Sequence, residues 1–135
     1  MGAVTIYLNF AIAFDKVDHG VLLHKLRAFG ICGKVGTWLA AFLRNRYQMV
    51  AINRLKSSRS AVTSGVPQGT VLGPVLFLIL ISDISAGTDP TTRVSSFADD
   101  TRASRGIKDS EDPVKLQKDL ETIYKWANDV NMEFN

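Results

Sequence analysis

Cysteine is almost absent from this chain, and the one thiol excludes a good deal. A single Cys32 in 135 residues rules out an internal disulfide and favours a reducing compartment. With two well-separated histidines, His19 and His24, beside that one thiol, no ligand set exists for a structural zinc site. Cys32 reads as a small residue at a helix start rather than a nucleophile. Long apolar runs are missing as well. Val75 to Ile81 is too short to span a bilayer, and Gly73-Pro74 breaks it upstream. No secretory signal precedes the first strand-like run, and there is no repeat, low-complexity tract or interdomain linker. The expectation is a soluble, intracellular piece with no membrane contact, nucleus and cytoplasm being equally compatible.

What remains is a globular composition. The hydrophobic share of 46% and charged share of 21% argue against disorder, and the length suits one domain with a real core. A net charge of +3 is compatible with a phosphate-rich partner, but many mildly basic surfaces bind nothing.

Periodicity gives the elements. Val4 to Leu8 is β-branched and aromatic, a strand entering the core. Asp18 is placed to cap a helix carrying Leu22, Leu23 and Leu26 and ending at Gly30. A second helix from about Lys34 sets Val35, Trp38, Leu39, Phe42 and Leu43 on one face. Tyr47 to Ile52 and Ser60 to Thr63 read as strands joined by the basic turn Asn53 to Arg59. A loop from Ser64 to Gly69 feeds a helix from Val71 to Ser85, apolar nearly all round and so expected to be buried. Arg93 to Phe97 and Thr101 to Ser104 form a hairpin with Asp99-Asp100 at its tip, Val94 and Phe97 anchoring it. The last helix runs from Ser110 or Asp112 to Val130, with Leu116, Leu120, Ile123 and Ala127 inward, Lys, Gln and Asp outward, and Pro113 in the first turn. Strands and helices in this order imply an α+β fold with helices on one face of a sheet.

Adjacent acids on a hairpin tip repel one another unless a cation lies between them, so Asp99-Asp100 suits a hard divalent ion. Taken alone, the pair fits a solvated acidic turn better.

Three segments in order resolve that choice. Tyr7-Leu8-Asn9-Phe10-Ala11-Ile12-Ala13-Phe14-Asp15, Ser64-Gly65-Val66-Pro67-Gln68-Gly69 and Phe97-Ala98-Asp99-Asp100 resemble motifs A, B and C of a reverse transcriptase palm, of the LINE-type, jockey-like non-LTR retrotransposon kind. The resemblance covers nearly all of residues 1–135, with Trp126, Asn131 and Phe134 similar to the approach to motif D. It implies a polymerase palm, a ferredoxin-like sheet with helices packed on one face, lacking complete fingers and thumb. It also implies RNA-directed DNA polymerisation with two Mg2+ (or Mn2+) ions, an RNA template, a DNA primer and deoxynucleoside triphosphates.

Carried over residue by residue, the resemblance makes Asp99 a metal ligand and Asp100 its companion. The motif A ligand position, normally aspartate, holds Asn9. One amide oxygen replaces two anionic ones, so this copy is expected to be inactive. Ile12 also replaces a polar residue, and Asp15 belongs to the following turn rather than to a rescuing ligand. Phe14 matches the aromatic that closes on the nucleotide sugar, where a simple core phenylalanine is the competing reading. Gly65, Pro67, Gln68 and Gly69 match the loop that touches nucleotide or template. Arg44, Arg46, Arg54, Lys56 and Arg59 surround the expected hairpin and suit phosphates without sequence preference, or plain solvation. Two other classes stand beside this reading: a non-catalytic nucleic-acid-binding module or translated remnant derived from a retroelement, and a palm-like nucleotide cyclase, against which the Pro67-Gln68-Gly69 loop argues.

Overall fold

The computed structural model describes residues 2–135. Strand β1 (Gly2–Asn9) is followed by helices α1 (His19–Ala28) and α2 (Gly33–Leu43). Four short strands come next: β2 (Arg46–Gln48), β3 (Ala51–Ile52), β4 (Leu55–Lys56) and β5 (Ser60–Val62). Helix α3 (Leu72–Ile81), the hairpin of β6 (Arg93–Phe97) and β7 (Asp100–Ile107), and helix α4 (Asp112–Asp129) complete the chain. The main sheet is antiparallel in the order β1-β7-β6, and β2-β5 and β3-β4 are separate two-stranded ribbons. This is a mixed α and β architecture with small antiparallel sheets.

Register decides which face of the main sheet is covered. Residues directly opposite each other share a face, so Leu8 with Thr101 and Ile6 with Ala103 lie on one side. There Leu8, Thr101, Ala103 and Arg105 are all buried. The opposite side carries Tyr7, Asn9, Phe97, Asp100 and Arg102, all exposed. Phe97 at 84% exposure therefore stands on the open face and does not anchor the hairpin as expected; Val94 packs against the core instead.

The helices form where the caps allow. Asp18 accepts the Val21 N–H at 2.9 Å, and that bond is the main cause that lowers its carboxyl below the ordinary value. Gly30, at φ 80, closes α1: its N–H reaches the Arg27 carbonyl while Ile31 N–H reaches that of Leu26, the two bonds of a glycine-terminated helix end. Cys32 sits at the N-cap of α2, as expected. Only Leu39 and Leu43 of the α2 stripe are buried, and Val35 and Trp38 face outward.

Three expected elements shift. The strand Tyr47 to Ile52 divides in two, and Asn53-Arg54, at φ 47 and 68, turn tightly between β3 and β4 in the manner of a primed hairpin. Helix α3 ends at Ile81, after which N–H groups bond three residues back, as from Ile84 to Ile81 and Ala86 to Asp83. It buries Leu76, Phe77, Leu80 and Ile81 but leaves Val75 and Leu78 about half exposed. On α4, Asp112 and Asp119 are buried rather than outward. They face Arg105, whose Nε donates to Asp112 at 2.9 Å and whose Nη1 donates to the Thr92 hydroxyl, itself bonded to Asp119.

Candidate functional site

Pairing in the main sheet brings the end of β1 against the start of β7. Asn9 stands opposite Asp100, and Asp100 opposite Phe97. Only Ala98 and Asp99 therefore make the turn, and Asp100 belongs to the ladder, one residue away from the expected tip. Ala98 adopts φ 51, a left-handed value that two-residue hairpins require and that costs a residue with a Cβ. Because they share a face, Asn9 and Asp100 meet: Asn9 Nδ2 donates to Asp100 Oδ1 at 2.9 Å. Asp99 is held through its backbone, its carbonyl accepting the Phe10 N–H at 3.2 Å. Asp99 is half-buried, whereas Asn9 and Asp100 are exposed.

The corner is pinned from the far side by residues 133–135. Asn135 N–H donates to the Asn9 carbonyl at 2.8 Å and Ala11 N–H to that of Glu133 at 2.9 Å. Phe10, 1% exposed, stacks on Phe134 at 4.5 Å and meets Phe77 edge-on at 6.1 Å. The next turn is strained, with the β-branched Ile12 at φ 49 and 63% exposed; its carbonyl accepts the N–H groups of Asp15 and Lys16.

A second cluster forms where the loop after β1 meets the loop before α3. Gly65 N–H donates to the Val17 carbonyl and Val66 N–H to that of Phe14, both at 2.8 Å. The Ser64 hydroxyl donates to the Asp15 carbonyl at 2.7 Å, and His19 Nε2 lies 2.7 Å from the Gly65 carbonyl. A Cβ on Gly65 would lie 2.8 Å from the Asp15 Cα and the Phe14 carbonyl oxygen, and one on Gly73 would lie 2.2 Å from that of Pro67. Both approaches require glycine. Phe14 is half-buried and stacked on Phe77 at 4.9 Å, so Phe77 links it to Phe10 and the corner. Pro67 is half-buried, while Gln68 and Gly69 are exposed.

Two clefts flank these clusters and share no lining residue. One of about 360 Å³ on the open sheet face is lined by Tyr7, Ser95, Phe97, Asp100 and Arg102 among others. The other, about 230 Å³, lies between the β2-β5 ribbon and the loop of Gly65 to Gln68. From the sequence alone neither Tyr7, the first residue of its motif A segment, nor Arg102 has a place in a site, although both share the parity of Asn9 and Asp100 along their strands. His19 gave no local sign of its partner 46 residues on.

The donor set at the corner is two carboxylates and an amide whose nitrogen, not its oxygen, is turned to Asp100. Among the described residues no three His, Cys, Asp or Glu side chains stand close enough together to hold a metal ion. Two divalent ions need more anionic oxygen than this, so the residues present do not fit such a pair.

A family model for reverse transcriptase (RNA-dependent DNA polymerase) matches residues 3–135. The chain belongs to the reverse transcriptase family. Among the relatives of this reverse transcriptase segment is the RNA-directed DNA polymerase from mobile element jockey of Drosophila melanogaster, 33% identical over 98% of the chain and 15% of the relative. Its counterpart in Drosophila funebris is 28% identical over 96% of the chain and 15% of that protein. The Pol polyprotein of type-1 retrotransposable element R2 in Popillia japonica is 29% identical over 69% of the chain and 17% of its own length. The segment spans about 15% of the length of the first of these relatives. Among the described residues no helix is long and apolar enough to cross a membrane.

Proposed function

We infer that residues 1–135 are the palm of an RNA-directed DNA polymerase from a non-LTR retroelement, and that this copy does not add nucleotides as it stands. The observation that carries the second half is the Asn9–Asp100 hydrogen bond. Where the family pattern calls for a third carboxylate, a neutral amide satisfies the second. Losing one charge about 4 Å from a cation forfeits about 4 kcal/mol at an effective dielectric of about 20. Borne wholly by the transition state, that is roughly a thousandfold in rate.

The remaining roles extend the same reading to the neighbouring residues. Asp99 and Asp100 are left to hold a Mg2+ or Mn2+ ion weakly beside Asn9. Phe14 and the loop of Gly65, Pro67, Gln68 and Gly69 form the wall toward a deoxynucleoside triphosphate and the RNA template, with the DNA primer on the open sheet face. Fingers and thumb of a full-length polymerase complete the groove.

Primer extension on an RNA template with Mg2+ or Mn2+ gives no product from this chain; robust synthesis would refute the inactivity. The restored carboxylate gives an independent readout. Asn9→Asp lowers thermal stability without metal, because two carboxylates then face each other, and regains it when Mn2+ is added. A Tm unresponsive to Mn2+ in that variant would remove the corner as a metal centre.

A further inference from the structure

The apolar stripe expected on α2 divides in the folded chain. Leu39 and Leu43 enter the core, while Val35 and Trp38 stay 60% and 56% exposed. Trp38 lies nearly parallel to Phe42 at 5.6 Å, and the Arg46 guanidinium covers the Phe42 ring at 5.3 Å. Residues three and four apart on a helix are neighbours, so Val35, Trp38 and Phe42 form one continuous ladder, with Arg46 at its end. Gly36 and Ala40 face α1 across a cleft. That puts the ladder about half a turn round the helix, on the side α1 leaves uncovered. Lys34 and the small Ala41, both exposed, border it. Acids are missing from the surroundings: from His19 to Ser82 the chain has eight lysines and arginines and no aspartate or glutamate. Among the described residues neither Lys34 nor Arg46 pairs with a carboxylate.

We propose that this face of α2 docks an amphipathic helix of a second protein, one whose apolar stripe lies on Trp38 and whose aspartates or glutamates reach Lys34 and Arg46. Tryptophan and arginine are the residue types that dominate binding energy at protein interfaces. Here the stack holds both in place beforehand, so little side-chain freedom is lost on docking. Helix α2 is about 16 Å long, enough to set two or three anchors of a partner helix in line. The acid-free surroundings select an acidic partner. A second copy does not supply one. Among the described residues α4 is the only helix with carboxylates, and its apolar residues Leu116, Ile123 and Ala127 are buried. A nucleic-acid strand fits less well, because the ladder is apolar along its length and Arg46 is turned onto a ring. The surface lies on an element that contributes no residue to the Asn9–Asp100 corner, and it does not depend on the polymerase reading.

The test is fluorescence anisotropy of the intact chain with three labelled peptides of about 16 residues, roughly four helical turns. One is an amphipathic helix with leucines at helical spacing and glutamates on both flanks; one has the same composition scrambled; one carries lysine in place of each glutamate. The acidic amphipathic peptide binds most tightly, and more weakly as salt rises. Trp38→Ala weakens it at least about tenfold. Val35→Asp, which sets a carboxylate on the ladder without touching the core, does the same. Leu78→Ser, at a comparably exposed apolar position on α3 (53%), leaves binding unchanged, and circular dichroism shows that each variant folds. K34E/R46E reverses the preference between the glutamate and lysine peptides. No binding of the acidic amphipathic peptide below about 1 mM, equal binding of the scrambled peptide, or no loss in Trp38→Ala would overturn the docking face. So would full displacement of the peptide by polyglutamate, which would reduce the effect to charge alone, or by oligouridine RNA, which would make the face a nucleic-acid surface.

Discussion

Asn9 donates to Asp100 at 2.9 Å, and that bond stabilises the corner with no cation present. An aspartate in its place would need one. The turn that follows β1 holds a second unusual residue. Ile12 occupies φ 49, a region in which a β-branched side chain is an outlier costing on the order of 1–3 kcal/mol. Its side chain is largely exposed, so little burial offsets that cost. Ile12→Asn relieves the strain, since asparagine tolerates this conformation, and raises Tm by about 3 °C in calorimetry. A fall in Tm would show that the isoleucine side chain contributes packing there. That Asn9 departs from the pattern its segment resembles was legible in the sequence because its neighbours Leu8 and Phe10 mark the position; its bond to Asp100 was not. The strain at Ile12 was not, because backbone torsion leaves no mark on residue identity.

Among the elements, β7 and α4 are held together by charge as well as by apolar contact. Arg105 is 5% exposed and faces Asp89, Asp112 and Asp119. The N–H of Lys108 and then the Arg105 guanidinium hold the Asp112 carboxyl from 3.8 down to about 2. A folded-state value below the unfolded one stabilises the native state above the unfolded value and loses that contribution as pH falls through the folded one. Urea midpoints should thus decline between about pH 4 and pH 2. Asp112→Asn starts from lower stability at neutral pH and shows a shallower acid limb; an unchanged limb would assign the loss to other carboxylates. Helix spacing announced α4 and its apolar stripe, yet Asp112 and Asp119 looked like solvated positions, since their partner lies on another element. The ribbon was misread for a related reason. Tyr47 to Ile52 has strand composition throughout, and only the left-handed pair Asn53-Arg54 shows that the chain turns back so soon.

Across the whole molecule, an acid-free half built on α1, α2, the ribbons and α3 adjoins a half that holds every carboxylate. Opposite fields on one body favour head-to-tail contacts between copies, which do not close and which salt screens. Sedimentation velocity should show association at about 0.02 M salt that dissolves by about 0.5 M, where the screening length falls to a few ångströms. Association that strengthens with salt would instead implicate the bare apolar side chains Tyr7, Leu55 and Phe97. The mixed α and β arrangement was readable from hydrophobic periodicity and the order of the elements. Charge segregation was equally present in the letters, but its meaning depends on which surfaces those letters reach.

The joint between the two loops has a consequence for time as well as shape. Gly65 and Val66 belong to no helix or strand, yet both are buried and both amides are engaged. Hydrogen exchange should find them among the slowest amides of the chain, retaining protons long after the ribbon tip at Arg54 has taken up deuterium. A stretch drawn as connecting chain would then behave as a clamp, releasing Phe14 and Gln68 only when the surrounding core opens.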